Sequence, residues 1–176
     1  MTKIPNVFLV GSMAAGKSTI GRWLAQYMGR EFYDTDQEIE ARTGVSIAWI
    51  FDLEGEQGFR RREEAVLEEL TCYSDIVLAT GGGVVLSPIN RVALETRGYI
   101  IYLQVSIEQQ LARTTRDRKR PLLQTKNPAE ALLKLQQQRE VLYQEIAHYQ
   151  ISSDGNSAQQ IAQKINDHLC KHFSST

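Results

Sequence analysis

The sequence predicts an α/β domain built around a parallel β-sheet, and three observations carry that reading. Short apolar runs alternate with longer segments of helical spacing along the chain. The runs are apolar at most positions rather than alternating, as strands covered on both faces are. The first run, NVFLVG, leads through the stretch GSMAAGKST straight into a helical segment, which is the strand–loop–helix order of a phosphate-binding loop.

Five runs read as strands: NVFLVG (6–11), EFYDT (31–35), IVLAT (76–80), YIIYLQV (99–105) and the weaker HYQIS (148–152). Helical spacing follows in STIGRWLAQYM, REEAVLEELTCY and PAEALLKLQQQREVLYQEIAHY, and the chain closes with the amphipathic SAQQIAQKINDHLCKHF. The third of these opens cleanly: Asn127 suits a cap, Pro128 the first helical position, and Glu130 the capping-box spacing. Gln136, Gln137 and Gln138 form a short polar tract on its surface. With 176 residues, no internal repeat and no Gly/Ser or Pro linker, the chain reads as one domain, residues 1–176.

Composition excludes several classes. A chain that is 42% hydrophobic and 23% charged, with net charge −1, is an ordinary globular protein and no general nucleic-acid or membrane-surface binder. No window approaches the ~20 apolar residues of a membrane span, and MTKIPNVF lacks the pattern of a secretory leader. Cys72 and Cys170 are isolated and read as reduced thiols without a role. His148, His168 and His172 are not spaced as zinc ligands. The expected location is the cytoplasm.

The loop at 11–18 carries the most specific chemistry. Backbone N–H groups turned inward cradle phosphate oxygens, and the helix N-terminus adds partial positive charge. Ala14, Ala15, Gly16, Lys17, Ser18 and Thr19 are the expected nucleotide contacts. Gly16 lets the backbone approach closely, Lys17 neutralises the β and γ phosphates, and the Ser18 hydroxyl ligates Mg²⁺. A regulatory GTPase would carry an Asn-Lys-x-Asp segment, which is absent, and a helicase or motor would need a longer chain. A small ATP-dependent kinase remains.

The acceptor side follows from three places. Asp34 and Asp36 end the second strand, where residues two apart face the same side. Two adjacent acids there are stable when one meets a cation and the other a donor, so Asp34 is assigned to Mg²⁺ or its water and Asp36 to an acceptor hydroxyl. The bland alternative makes both a solvated turn capping the following helix, QEIEAR. Gly81, Gly82 and Gly83 end the third strand, either as bare backbone open to a substrate or as a flexible turn. Arg60 and Arg139 suit a bidentate grip on a carboxylate, although each taken alone also reads as an exposed helix charge.

The ordered set GSMAAGKST, DTDQEIEARTG, GEQGFRRREE, ATGGGVV, KRPLL and REVLY resembles the shikimate kinase family from residue 6 to the last helix. The resemblance implies a three-layer P-loop kinase fold with a five-stranded parallel sheet, an acceptor-binding subdomain at about 34–62 and a mobile lid at about 113–126. It implies Mg²⁺-dependent transfer of the γ-phosphoryl group of ATP to the 3-hydroxyl of shikimate, on the route to chorismate and aromatic amino acids, by a monomer. By motif matching, Asp36 contacts the shikimate hydroxyls, Arg60 and Arg139 clamp its carboxylate, and Gly82 offers a backbone contact. Lys17, Asp36 and Arg120 are the catalytic set. Phe51 and Phe59 match positions lining the ring's pocket, with plain core packing as the alternative, and Glu63 is placed to orient Arg60. RTTRDRKR (113–120) would be a nucleic-acid patch out of context, but the family has its lid there. Arg120 matches the lid arginine at the phosphates and Arg113 one near adenine, while Asn156 in SSDGNSA matches an adenine contact.

Two positions depart from the family pattern. Ala14 stands where glycine is usual, so a positive φ there would add strain of about 1 kcal/mol. Val141 replaces a frequent proline, which predicts uninterrupted helix. The rivals are a kinase for another hydroxylated acid such as gluconate, a nucleotide kinase, and a non-catalytic ATP-binding module.

Overall fold

In the computed structural model, residues 3–114 and 125–174 are described. The first strand, β1 (Asn6–Val10), passes through a loop into α1 (Lys17–Met28), β2 (Glu31–Asp34), α2 (Thr35–Thr43) and α3 (Ile47–Leu70). Then come β3 (Ile76–Ala79), a short 3₁₀ turn (Val84–Leu86), α4 (Pro88–Arg97) and β4 (Gly98–Gln104). The described chain closes with α5 (Ile107–Thr114), α6 (Pro128–Ile146), β5 (Tyr149–Ser152) and α7 (Ala158–Ser174). The five strands form one parallel sheet in the order β2-β3-β1-β4-β5.

The two-residue period of the strands divides the core into two layers. Phe8, Val10, Ile76, Leu78, Ile100 and Tyr102 face one side, where Ile39 of α2, Leu67 and Leu70 of α3, Leu94 of α4 and Tyr143 of α6 cover them. The alternate residues Val7, Leu9, Val77, Tyr99, Ile101 and Leu103 face the other, against Ile20 and Leu24 of α1 and Ile161, Ile165 and Leu169 of α7. Each fully buried aliphatic or Phe side chain contributes about 1.5–3 kcal/mol, so both sheet faces must be covered. This is the predicted three-layer arrangement, and it explains the continuous apolar runs.

Local details differ from the sequence expectation. Thr35 opens α2 rather than ending β2, because the Asp34 side chain accepts from the Asp36 and Gln37 amides and starts the helix there. Helix α3 begins at Ile47 under a Ser46 cap, well before REEAVLEELTCY. Its early half is hidden from periodicity by Gly55, which breaks the helix with φ 70 and ψ 179. The helices α4 and α5 were not foreseen, although Ser87 caps α4 and Pro88 sits at its first turn. Asn127 caps helix α6 as expected, and the helix runs unbroken through Val141.

The carboxyl ends of β1, β2 and β3 lie side by side. Thr80, just past β3, donates both its amide and its hydroxyl to the Leu9 carbonyl of β1, at 3.1 and 3.0 Å. Ligands bind beyond these ends in open α/β sheets.

Candidate active site

The phosphate loop leaves β1 at Gly11 and enters α1 at Lys17. Gly16 caps α1 with φ 88, and no side chain bonds the first-turn amides. An uncapped helix start with left-handed residues before it is a natural anion cradle. Ala14 has φ 61, so the strain expected of alanine at this position is present. Ala15 is wholly buried in the core and its amide donates to the Ser12 carbonyl at 3.2 Å.

Lys17 Nζ donates to the carbonyls of Gly11 at 2.7 Å and Ser12 at 2.8 Å. The ammonium is therefore folded over the loop, centred where phosphate oxygens would sit. A cavity of about 230 Å³ opens beside it, lined among others by Gly16, Ser18, Thr19, Asp34, Asp36 and Gly82. The Ser18 hydroxyl donates to Asp34 Oδ2. Asp34 Oδ1 meanwhile accepts from Asp36 at 3.0 Å and Gln37 at 3.1 Å. The capping reading of this acid holds through Oδ1, while Oδ2 meets Ser18. Asp36 reaches the cavity from the first turn of α2, not from the strand as the spacing suggested.

A hydroxyl beside a carboxylate is a hard oxygen pair that suits Mg²⁺, which keeps most of its sphere for water and phosphate oxygens. Among the described residues no group of three or more His, Cys, Asp or Glu is placed to hold a metal. The fit to Mg²⁺ rests on the Ser18–Asp34 pair.

The three glycines after β3 prove to be a packing surface. A Cβ on Gly83 would lie 2.2 Å from Arg60 Nη1, one on Gly81 would lie 2.6 Å from Glu63 Oε1 and 2.9 Å from Asp36 Oδ1, and one on Gly82 would lie 3.4 Å from Arg139 Nη1. The site's charged groups thus lie against bare backbone, and Arg60 and Arg139 flank neighbouring residues. The Gly81 amide donates to the buried Thr35 hydroxyl at 2.9 Å, fixing the turn against α2.

Arg60 Nη1 donates to Glu63 Oε2 at 2.8 Å and Nη2 to Glu56 Oε1 at 3.1 Å, while its guanidinium sits 5.2 Å from the centre of the Phe59 ring. Glu63 is 1% exposed and Arg139 4%. Burial pushes the Glu63 carboxyl above its ordinary range, against the pull of Arg60 and Arg139. Burial also draws the Arg60 guanidinium down, but Glu63 and Glu56 outweigh it and its pKa stands raised. Arg60 Nε and Arg139 Nε are buried with no hydrogen-bond partner among the described residues. Unused buried donors of this kind are costly unless a ligand meets them. Glu63 therefore does hold Arg60, as its spacing suggested. The Phe51 and Phe59 rings lie 4.8 Å apart and tilted by 35°, with Phe59 in the core layer and Phe51 packed against it.

On the far side of the loop, Arg113 Nη1 donates to the Ala14 carbonyl at 2.8 Å, and Nη2 to the Ser153 carbonyl at 3.3 Å. It ties the phosphate loop to the segment after β5. Asn156 is exposed there, with Nδ2 donating to the Asp154 carbonyl and Oδ1 accepting from Lys164; it does not line the cavity. Arg120 lies outside the described residues, as does most of the expected lid. Tyr143 and Thr35 are site residues that the motifs did not single out. Tyr143 was detectable, since it lies one helical turn beyond Arg139 and on the same face.

A parallel sheet and a glycine-rich loop closing on a lysine, with a hydroxyl–carboxylate pair beside it, define a P-loop kinase. The model of the family described as shikimate kinase matches residues 13–170. A shikimate kinase from Vibrio parahaemolyticus is 58% identical over 165 residues, covering 94% of this chain and 96% of its own. One from Vibrio cholerae is 55% identical over 173 residues, covering 98% and 99%. The structure of shikimate kinase from Acinetobacter baumannii in complex with shikimate superposes with a TM-score of 0.95 at 50% identity, covering 97% of this chain and 96% of that one. The chain belongs to the shikimate kinase family, an ATP-dependent kinase family. No helix among the described residues is long and apolar enough to cross a membrane.

Proposed function

We propose that this chain transfers the γ-phosphoryl group of ATP to the 3-hydroxyl of shikimate, giving shikimate 3-phosphate for chorismate and aromatic amino acid synthesis, as a cytoplasmic monomer. The observation that carries the acceptor's identity is the placement of Arg60 and Arg139 against Gly83 and Gly82, with Asp36 on the same glycine turn. That arrangement suits a compact molecule with a carboxylate at one end and hydroxyls at the other.

The loop amides and Lys17 seat the β and γ phosphates. Mg²⁺, held through Ser18 and Asp34, neutralises phosphate charge when bound. Arg60 and Arg139 grip the acceptor carboxylate bidentately, with the Gly82 backbone as a further contact. This orients the hydroxyl towards the phosphate loop. Asp36 accepts that hydroxyl's hydrogen bond and takes its proton as the oxygen bonds to the γ-phosphorus. The bond from phosphorus to the bridging oxygen breaks in line, and ADP leaves with the electron pair. Arg120 and Arg113 act from the lid side, where exclusion of water prevents hydrolysis, and Asn156 is assigned to the adenine.

The test is ADP release with Mg·ATP and, separately, shikimate, gluconate or nucleoside monophosphates as acceptor. Release dependent on shikimate alone is expected. Release with gluconate or a nucleotide instead would overturn the acceptor, and elution in gel filtration as a dimer would overturn the monomer.

A further inference from the structure

Tyr143 is wholly buried, with its ring stacked on Tyr102 at 5.1 Å and 25°. A buried phenol hydroxyl is costly unless it finds a partner, so its partners are informative. It donates to the Gly82 carbonyl. Its other polar neighbours are Arg139, four residues back on α6, and Ser12 in the phosphate loop. Burial raises its pKa far above the ordinary phenol value, so it remains a proton donor throughout the working range.

The position of Gly82 gives this contact its meaning. A Cβ on Gly82 would meet Arg139 Nη1 at 3.4 Å on one side and the Met13 amide nitrogen at 3.5 Å on the other. Glycine peptides are the least restrained by their own sterics, so a run of three needs outside ties to hold one orientation. The Gly81 amide has Thr35 and the Gly81 carbonyl has the Val84 amide, at 2.9 and 3.2 Å. For the Gly82 carbonyl the tie is Tyr143.

We propose that Tyr143 is a positioning residue that locks the Gly82 peptide to Arg139 and to the phosphate loop, so that filling the loop sets the grip on the acceptor's carboxylate. This rests on the acceptor reading above. Without the hydroxyl, the ring still fills its place against Tyr102, but the Gly82 peptide is free to turn and the two half-sites become independent. A residue that served packing alone would leave their communication intact.

The experiment measures the shikimate dissociation constant calorimetrically, with and without Mg·ADP, in the full chain. The wild type is expected to show a several-fold shift on adding nucleotide, within the ordinary range of coupling between sites. Tyr143→Phe should fold, bind Mg·ADP alone as the wild type does, and lose most of that shift. Its shikimate KM at saturating ATP and its ATP KM at saturating shikimate should both rise several-fold, because a lost coupling is reciprocal, and Tyr102→Phe should keep the full shift. A wild-type shift preserved in Tyr143→Phe, or no shift in the wild type, overturns the proposal. Should Tyr143→Phe fail to fold, Ser12→Ala removes the loop end of the tether from outside the core, and an unchanged shift there overturns it equally. Wild-type protein that binds Mg·ADP but not shikimate would overturn the acceptor reading itself, whereas normal coupling unaffected by either variant would overturn the tether alone.

Discussion

The Ser18 hydroxyl donates to one oxygen of the Asp34 carboxylate while the other oxygen accepts from the Asp36 and Gln37 amides. One side chain thus starts a helix and holds the hydroxyl proposed to meet Mg²⁺ with it, and two variants separate the duties. Asn caps about as well as Asp, so Asp34→Asn should melt close to the wild type yet need far more Mg²⁺ for turnover. Asp34→Ala also loses the cap, about 0.5–2 kcal/mol, which for a chain of this size lowers Tm by roughly 1–8 °C. Calorimetry and a Mg²⁺ titration of activity check both. Equal melting losses, or an unchanged Mg²⁺ requirement in Asp34→Asn, would separate Asp34 from these roles.

Gly83→Ala tests whether the glycine turn is a packing surface. The added methyl would meet the Arg60 guanidinium at 2.2–2.4 Å. That group ends a flexible side chain, so the arginine moves and the backbone stays. The variant should melt within a few degrees of the wild type, with shikimate KM raised about tenfold or more, one lost charge-assisted contact, and the ATP KM unchanged. Unaltered shikimate kinetics would show that Arg60 does not grip the acceptor from this position.

The phosphate loop was legible because its spacing and its strand–helix setting report the same local geometry. The sheet was legible because burial on both faces leaves continuous apolar runs. The strand spacing does not hold for Asp36. It lines the cavity from a helix turn, and the cap that starts this helix depends on where Asp34 points, which strand periodicity does not encode. Why residues 81 and 83 must be glycine was also hidden. The charged groups that fill the missing Cβ positions there come from Asp36, Glu63 and Arg60, brought together only by folding. Tyr143 was passed over because a tyrosine on an apolar helix face reads as core, which it also is.

Stability should fall as pH drops below about 6.5, the ordinary histidine value. Burial lowers the pKa of His148 and of His168, with His172 adding to the effect on both and Glu95 opposing it at His148. Each therefore contributes stability that is present above the unfolded value and lost as pH falls through the lower folded one. His148 shows why: its Nδ1 accepts the Ile100 amide at 3.0 Å, and a protonated ring has no lone pair there. Glu63, raised by burial, works oppositely, since its contribution is present at low pH and lost as pH rises. The comparison with His148→Asn, whose carbonyl can accept without titrating, isolates the imidazole. Urea unfolding between pH 7.5 and 5.5 should give a shallower decline in that variant, and identical declines would remove His148 as a cause.

Ala14 holds φ 61 at a position the family usually gives to glycine. Ala14→Gly relieves about 1 kcal/mol of local strain but adds about 0.4–1 kcal/mol of conformational freedom to the unfolded chain. The two nearly cancel, so Tm should move by no more than roughly 3 °C. If the loop keeps this turn with nucleotide bound, the strain is equal in both states and ATP affinity should change less than twofold. What holds the residue 14 peptide is Arg113, through the Ala14 carbonyl at 2.8 Å. Arg113→Ala should therefore raise the ATP KM several-fold, whether residue 14 is alanine or glycine, and leave the shikimate KM in place. A large affinity gain from Ala14→Gly alone would mean that nucleotide binding, rather than folding, bears the cost of the alanine.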